Sequence, residues 1–297
     1  MPALRLDRFA SVHLFHPLSR RKNRQVIGRI PILMYHAIED APSDWGPYYE
    51  TSTSPAVFAR HMQYLSENGY TTITLRQAIT ALGKPWGEKR PVVLTFDDGC
   101  RSVFTTACPI LRSYGFTGTV FLISRLTGDS PAPFRGIDCL TWREARETLK
   151  LGMSIGSHTA THPVLATMTR PAIDEELGSS KREIEDHLGA PVTSFSYPFA
   201  FPEANHGLVT YLEEALQRHD YENGVSTMIG TAGMADSRYF LPRIPTNTWD
   251  DVALFQAKLE GGYDWMHVPQ SIYKTARRRV VSVLPLIQRK NAALTGF

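Results

Sequence analysis

The sequence has few cysteines and no long apolar run, and these two shortages exclude several kinds of protein. Its 297 residues include three cysteines, Cys100, Cys108 and Cys139, and none of them forms a C-x-x-C pair. This odd and scattered set argues against a disulfide framework and against a cysteine-ligated zinc site. No stretch approaches the roughly 20 consecutive apolar residues that a membrane-spanning helix needs. No usual secretory signal is visible either, so the sequence predicts a cytoplasmic protein.

The composition is that of a globular protein. Hydrophobic residues make up 42% of the chain and charged residues 21%, which excludes disorder and collagen-like structure as the main state. A chain of this length can bury a full hydrophobic core. The length fits one large α/β barrel as well as two smaller domains.

The charge is unevenly distributed along the chain. Residues 1–30 carry seven Lys or Arg and one Asp, and residues 273–297 carry six Lys or Arg and no acid. The intervening residues 31–272 have 19 basic and 28 acidic residues. We therefore predict basic extensions at residues 1–29 and 266–297. Such ends suit an anionic lipid surface, here the inner membrane face, or nucleic acid, and solvated termini are the alternative.

Short β-type runs alternate with helical stretches between residue 30 and about residue 260. The clearest strand is V-V-L-T-F, and the runs lie at residues 30–35, 92–96, 119–123, 153–156, 193–197, 224–227 and 239–244. Strands separated by helices indicate a parallel sheet. We predict a single α/β domain closed into a TIM-like barrel, with an open doubly wound sheet as the alternative. In a barrel, catalytic groups belong at the C-terminal ends of the strands.

A pair of adjacent carboxylates, Asp97 and Asp98, directly follows the V-V-L-T-F strand and precedes Gly99. Neighbouring side chains at a strand end point in different directions, so one carboxylate can bind a cation while the other acts as a base. The alternative for this pair alone is a polar turn in which one Asp caps the next helix.

Two histidines, His158 and His162, follow the strand at residues 153–156. A spacing of four residues places two imidazoles on one side of a helical turn, which suits a shared metal ion. No glutamate lies between them, which excludes the zincin mechanism. Capping or surface histidines are the alternative reading of this pair.

Taken together, the two motifs are stronger than either alone because both fall at predicted strand ends. Asp98, His158 and His162 would form a three-ligand site with open positions for water and substrate. Imidazole and carboxylate ligands suit Zn²⁺ best, and also Co²⁺, Ni²⁺ or Fe²⁺. Asp97 is then left free to act as a base.

The segments T-F-D-D-G (95–99), S-H-T-A-T-H-P (157–163) and F-S-Y-P-F-A (195–200) occur in this order, with L-T-W-R-E-A-R-E (140–147) before the second. They resemble the polysaccharide deacetylase family, the chitin and NodB-type deacetylases of carbohydrate esterase family 4. The resemblance covers roughly residues 30–260. It implies a distorted (β/α)7 barrel, which we place at residues 30–265.

The resemblance also implies roles for individual residues. Asp97 matches the family's catalytic base, and the residues Asp98, His158 and His162 match its metal triad. Tyr197, Pro198 and Phe199 match the loop whose backbone N–H, after the proline, faces the oxyanion. The implied activity is metal-dependent hydrolysis of an amide C–N bond, which removes N-acetyl groups from an N-acetylhexosamine-containing polysaccharide or glycolipid.

The sequence departs from the family pattern at two places. Many members have an arginine at the position of Ser196, where it holds the catalytic base, and Arg243 is our candidate for its replacement. Many members also carry a histidine as general acid on a late strand. Here His36 follows I-L-M-Y (32–35) before T-F-D-D-G, which resembles the circularly permuted poly-N-acetylglucosamine deacetylases. We predict that His36 is the acid; a histidine packed at a strand end is the alternative.

The substrate is the least determined part of this prediction. Trp45 lies in a polar loop after His36, so it is a candidate for stacking on a sugar. Other readings are a deacylase or deformylase of a small or lipid-linked amide, and an inactive glycan-binding relative. Retention of all four residues of the base and triad argues against the inactive relative. We expect no specific nucleic-acid partner, since no recognition motif is present, and the sequence indicates no protein partner.

Overall fold

The computed structural model describes residues 5–22, 28–40, 48 and 50–272. Its α-helices are α1 (Leu6–Ala10), α2 (His16–Lys22), α3 (Pro55–Glu67), α4 (Leu75–Ala81), α5 (Cys108–Ser113), α6 (Trp142–Lys150), α7 (Arg170–Leu188), α8 (His206–Arg218) and α9 (Val252–Leu259). Its β-strands are β1 (Ile32–Tyr35), β2 (Tyr70–Thr72), β3 (Arg90–Phe96), β4 (Thr119–Leu122), β5 (Pro133–Phe134), β6 (Ile137–Asp138), β7 (Ser154–Ser157), β8 (Ser194–Ser196), β9 (Asn223–Ile229) and β10 (Leu241–Pro245).

Seven of these strands close into a parallel barrel. The order around the barrel is β1, β10, β9, β8, β7, β4 and β3, and β3 pairs back onto β1. β2 extends the sheet by pairing with the first residues of β3, and β5 and β6 form a separate antiparallel hairpin. The prediction of a single distorted (β/α)7 barrel is therefore confirmed, and the open doubly wound sheet is wrong.

The strands alternate their side chains between two cores. Val93 and Phe121 belong to a cluster inside the barrel, whereas Leu94 and Leu122 belong to a larger cluster that the surrounding helices cover. This alternation is the two-residue period of a strand that is buried on both faces. It explains why the strands read as continuous apolar runs in the sequence.

Helix boundaries follow local capping chemistry. Ser54 accepts a hydrogen bond from the Val57 N–H at 3.4 Å at the start of α3, and Thr141 forms a reciprocal capping box with Glu144 at the start of α6. Gly189 ends α7 in the left-handed conformation, with φ at 63°. These residues make the helix positions readable from sequence.

The N-terminal segment packs along the barrel. α1 and α2 run on from one another through a π-helical turn at Ser11–Phe15. Arg8 pairs with Asp251 at 2.6 Å and His16 with Glu260 at 2.7 Å, so this segment lies alongside α9. The domain boundaries at residues 29 and 266 stay predictions, and residues 273–297 lie outside the described part of the chain. Among the helices that are described, none has the length and apolarity to cross a bilayer.

Gly156 on β7 leaves room for Phe121 inside the barrel. A Cβ atom at this position would lie 2.5 Å from the Phe121 ring and 2.8 Å from the Ser194 carbonyl oxygen. We expect Gly156→Ala to lower the free energy of unfolding by about 1–3 kcal/mol, because the packed interior cannot move aside. Urea unfolding measures this loss. Gly87→Ala is the control, since a Cβ atom there meets no atom within 4 Å, and equal stability of the two variants would contradict the packing argument.

Candidate active site

The polar residues identified in the sequence follow strands that end at one edge of the barrel. Asp97 and Asp98 follow β3, His158 follows β7, and residues 197–199 follow β8. Arg243 lies on β10, two residues before its end. Because the C-terminal ends of parallel barrel strands meet at one face, these groups converge there.

Three potential ligand atoms come together at the centre of this face. The Oδ1 atom of Asp98 lies 3.4 Å from Nε2 of His158 and 3.3 Å from Nε2 of His162. All three ligand atoms lie within 4.8 Å of one another, and both histidines are buried. The predicted metal triad therefore forms a compact cluster.

The hydrogen bonds of this cluster suit a divalent cation. Nδ1 of His158 lies 2.7 Å from the Ser196 carbonyl oxygen, which can only accept, so Nδ1 carries a proton and the Nε2 lone pair can face Asp98. Oδ1 of Asp98 is buried and receives no hydrogen bond within the described residues. Two imidazole nitrogens and one unsatisfied carboxylate oxygen are the donor set of a zinc-type site.

Burial and neighbouring charges shift the pKa values of the groups in this cluster. Burial alone would raise the pKa of Asp98, but His158 and His162 hold it well below its usual value. Burial alone would lower the pKa of His158, but Asp97 and Asp98 raise it above its usual value. Burial lowers the pKa of His162. A bound cation would replace the proton that His158 otherwise attracts.

The backbone is strained where it supports the site. Asp98, Thr159, His162 and Phe199 have φ angles of 65°, 69°, 60° and 55°. This left-handed region costs an ordinary L-residue about 1–2 kcal/mol. Such conformations persist where the surrounding structure holds them, and they are common at functional sites.

Glu176 on α7 braces the histidine loop. Its Oε2 atom accepts the N–H groups of Ala160 and Thr161, both at 2.9 Å, and its Oε1 atom accepts the Thr161 hydroxyl at 2.7 Å. Sequence reasoning missed this residue. No local pattern distinguishes Glu176 from the other charged residues of a surface helix.

Arg243, our candidate for the replacement of the family arginine, holds Asp97 by two hydrogen bonds. Nη1 and Nη2 of Arg243 donate to Oδ1 and Oδ2 of Asp97 at 2.8 Å and 2.7 Å, and both side chains are buried. The Ser196 hydroxyl donates to Asp97 Oδ1 at 3.1 Å. Burial alone would raise the pKa of Asp97, but the Arg243 guanidinium holds it below its usual value. Asp97 is therefore ionised and fixed in orientation.

Comparison with known proteins places the chain in a family. The family model described as polysaccharide deacetylase matches residues 84–223. YxkH of Bacillus subtilis (strain 168), a protein named as a polysaccharide deacetylase, is 30% identical over 239 residues, which cover 78% of this chain and 76% of YxkH. The chain belongs to the polysaccharide deacetylase family. The predicted family is therefore confirmed.

Solved structures and a further relative are similar to this polysaccharide deacetylase. The deacetylase PplD of Streptococcus pyogenes, in complex with acetate, has a TM-score of 0.68 and 27% identity and covers 78% of this chain and 99% of its own. IcaB from Ammonifex degensii has a TM-score of 0.64 at 22% identity and covers 80% of this chain and 98% of its own. At this identity the similarity shows the fold alone. The poly-β-1,6-N-acetyl-D-glucosamine N-deacetylase of Staphylococcus aureus (strain MSSA476) is 23% identical over 158 residues, 50% of this chain and 53% of that protein.

His36 follows a barrel strand at the same face as the cluster, although it falls outside the matched residues 84–223. It directly follows β1, which pairs with both β10 and β3. A positive charge on His36 helps to lower the pKa values of both Asp97 and Asp98, as expected for a group on the same face. Barrel closure thus brings an N-terminal histidine to the same face as Asp97.

The loop at residues 197–199 contributes to the site unevenly. The Tyr197 ring is buried against Phe195 and Phe201 in the outer core, so only its backbone can face the site. The Phe199 ring lies 4.6 Å from the His162 ring, measured between centroids. Pro198, which lies between Tyr197 and Phe199 in the sequence, is also buried. Trp45 lies outside the described residues.

The β5–β6 hairpin is a part of the site that sequence reasoning missed. It lies outside the β-type runs that the sequence showed, and its Phe134 ring is 5.0 Å from the His162 ring. The signal was the dipeptide Arg135-Gly136 between two apolar residues, an X-Gly turn of the kind that joins short hairpins.

The Arg243–Asp97 pair predicts a pH-dependent loss of stability. Arg243→Met keeps much of the side-chain volume but leaves a buried carboxylate without its partner, so we expect a loss of about 3–5 kcal/mol in unfolding free energy at pH 7. Lowering the pH toward 4 should shrink the loss, because the unpaired carboxyl of the variant takes up a proton and its burial penalty disappears. Urea unfolding across this pH range provides the measurement.

The control for this experiment is the double variant Arg243→Met with Asp97→Asn, which has no buried carboxylate at this place. Its stability relative to the native protein should not follow the pH profile of the single variant. A loss in the single variant that is the same at every pH would assign the effect to packing and not to charge.

Proposed function

We propose that this polysaccharide deacetylase is a metal-dependent hydrolase that removes N-acetyl groups from an N-acetylhexosamine-containing polysaccharide or glycolipid. The observation that carries the proposal is the arrangement of one clamped, ionised carboxylate, Asp97, beside a cluster of three potential metal ligands. The Staphylococcus aureus relative is named for removing acetyl groups from poly-β-1,6-N-acetyl-D-glucosamine, and PplD was solved with acetate, which is the expected acid product.

Asp98, His158 and His162 would hold the cation. Zn²⁺ fits the two imidazoles and one carboxylate best, and Co²⁺, Ni²⁺ or Fe²⁺ suit the same donors. When bound, such an ion polarises a carbonyl oxygen and lowers the pKa of a water molecule toward neutrality. The lowered pKa of the water matters here, because the pKa of Asp97 is also lowered. Such a weak base can accept a proton only from an acidic donor.

The residues of this chain would divide the remaining work. Asp97 accepts the proton of the attacking water while Arg243 keeps its carboxylate in place. The Phe199 backbone N–H is directed at the oxyanion that forms at the former amide carbon. His36 in its protonated form gives a proton to the leaving nitrogen as the C–N bond breaks. Acetate and a free amino sugar are the products.

Two alternatives use the same residues differently. A deacylase or deformylase of a small or lipid-linked amide would need the same base and triad, so substrate comparison must distinguish it. An inactive glycan-binding relative is disfavoured, because the base, its arginine clamp and the triad are all present and assembled.

Acetate release tests the proposed function directly. We expect the full chain to release acetate from N-acetylglucosamine oligomers or from a lipid-linked N-acetylhexosamine only when Zn²⁺ or Co²⁺ is supplied. Asp97→Asn should lower kcat by a factor of about 100 or more while metal binding persists, because a base is lost and the triad is not. Asp98→Asn should instead lose the metal, which calorimetric titration detects.

Asp186→Asn is the control for a lost carboxylate, since Asp186 lies exposed on α7. Its activity should equal that of the native chain. Absence of acetate from every substrate, with metal still bound, would refute the N-deacetylase proposal and favour a different acyl group.

We further infer that the protein contacts an anionic lipid surface, as the basic extensions predicted. Among the described residues, most large exposed apolar side chains lie in the N-terminal helical segment or in segments that contact it. They are Leu6, Phe9, Leu14, Phe15, Leu18, Tyr48, Trp249, Val252, Val268 and Ile272. We call this set the apolar face. Arg5 links the N-terminal segment to the segment at residue 249, since its side chain donates to the Trp249 carbonyl oxygen at 3.1 Å.

Charge supports a lipid occupant for the apolar face. The N-terminal segment is basic, with a net charge of +6 in residues 1–30, and residues 273–297 carry a further +6. Exposed apolar side chains flanked by lysine and arginine are typical of segments that lie in the interface of an anionic membrane. A location at the inner membrane face remains our prediction.

Vesicle binding tests the apolar face. We expect the full chain to sediment with phosphatidylglycerol-containing vesicles and to bind pure phosphatidylcholine vesicles less. Replacing Leu6 and Phe9 by Ser should weaken binding by about tenfold or more, since each loses part of the 1.5–3 kcal/mol that burial of a large apolar side chain supplies.

The control replaces Leu151 and Val164 by Ser, because these residues are exposed elsewhere on the molecule. Equal binding of both double variants would overturn the inference. So would a dimer, seen by light scattering, that the Leu6 and Phe9 changes abolish, because the face would then serve self-association.

A further inference from the structure

The tip of the β5–β6 hairpin holds an arginine in a backbone conformation that disfavours this residue. Arg135 and Gly136 have φ angles of 53° and 85°, so both central positions of this two-residue turn are left-handed. Asn-Gly or Asp-Gly is the usual choice for such a turn, because a longer side chain pays a steric penalty there. The arginine is therefore not explained by the needs of the hairpin.

The Arg135 side chain is held by two aromatic rings. Its guanidinium carbon lies 4.9 Å from the Phe134 ring centroid and 5.0 Å from the Phe199 ring centroid. Cation–π contacts of this kind fix the plane and position of a guanidinium while its N–H donors stay available at the edge.

Both rings contact the third member of the triad. The centroids of Phe134 and Phe199 lie 5.0 Å and 4.6 Å from that of His162. One aromatic ring thus separates the Arg135 guanidinium from the His162 imidazole. A substrate whose acetamide reaches the triad would pass the edge of Arg135.

Arg135 also differs from its neighbours in its charge partners. Arg101 pairs with Glu144 at 2.8 Å, and Arg125, on the same barrel face, pairs with Glu183 at 3.6 Å. No carboxylate within the described residues forms an ion pair with Arg135. An exposed guanidinium that is positioned by rings and has no acid beside it is suited to a bidentate contact with a carboxylate or phosphate.

We propose that Arg135 binds an anionic group of the substrate, a carboxylate or a phosphate carried on or beside the reacting N-acetylhexosamine. Arg135 is then a specificity-determining residue, with Phe134 and Phe199 as its supports. This inference rests on the proposed function and specifies its substrate class as an acidic glycan or a phosphorylated amino sugar. A neutral sugar offers hydroxyl oxygens to the guanidinium but no negative charge.

Selectivity measurements test the proposal on the full, metal-loaded chain. Acetate release is compared among neutral N-acetylglucosamine oligomers, oligomers that alternate glucuronate with N-acetylglucosamine, and N-acetylglucosamine 1-phosphate. We expect a higher kcat/KM for one of the two anionic substrates, and the preferred one identifies carboxylate or phosphate as the bound group. In Arg135→Gln, the ratio of anionic to neutral kcat/KM should fall by about tenfold or more, chiefly through KM, because a charged hydrogen bond is lost.

Two further variants separate recognition from structure. Arg135→Lys retains the charge but loses the planar fork, so its ratio should fall between those of the native chain and Arg135→Gln. Arg125→Gln removes an arginine from the same face and should leave the ratio unchanged. Equal losses on neutral and anionic substrates in Arg135→Gln, or no anionic preference in the native chain, would overturn the proposal.

Binding to the Asp97→Asn variant distinguishes this proposal from the proposed function. Calorimetry of the same three probes should show tighter binding of the preferred anionic probe, lost when Arg135→Gln is added. Should no probe release acetate while this difference in binding remains, the deacetylase function would fail and the anionic site would stand. Acetate release without Arg135-dependent binding would support the deacetylase function and overturn the anionic site.

Discussion

The buried ion pair between Arg243 and Asp97 is the contact on which the site depends. It links β10 to the residue that follows β3, and β1 lies between these two strands. The attraction in a buried pair offsets the loss of hydration only when the geometry is good, and the closed barrel supplies that geometry. Because Arg243 balances the charge of Asp97, the neighbouring Asp98 is left to interact with the two histidines. Two adjacent carboxylates thereby acquire different environments.

The loops around this pair are held in conformations that they would not adopt alone. Asp98, His162 and Phe199 all have left-handed backbones, and Glu176 reaches from α7 to hold the histidine loop by its N–H groups. The barrel strands give these loops fixed starting points. Strain at the site is therefore balanced by the packing of the strands below it, which is the usual condition for a preorganised centre.

The outer features are less constrained by the fold. The Arg135 hairpin and the apolar face along the N-terminal helices contribute little that the barrel needs, and both carry residues that folding alone does not explain. Exposed residues in locally unfavourable positions point to recognition more than to stability. The chemistry thus belongs to the rigid interior, whereas the choice of substrate and surface would belong to these additions.

Much of this arrangement could be read from the sequence because it is local. Apolar runs located the strands, and T-F-D-D-G with H-T-A-T-H-P placed the two aspartates and the two histidines at strand ends. Arg243 could be predicted only because Ser196 stands where many family members have an arginine. Glu176 carried no local signal, the Arg135-Gly136 dipeptide was a weak turn signal for the β5–β6 hairpin, and the helices near residues 6–22 were not predicted.

The order of strands and helices, the motif residues and the family follow from neighbours along the chain, so they can be read without the fold. The approach of His36 and Arg243, separated by more than 200 positions, to Asp97 cannot, because it results from barrel closure. β1 pairs with both β3 and β10, and such a long-range pairing depends on the packing of the whole sheet and not on any short pattern of residues.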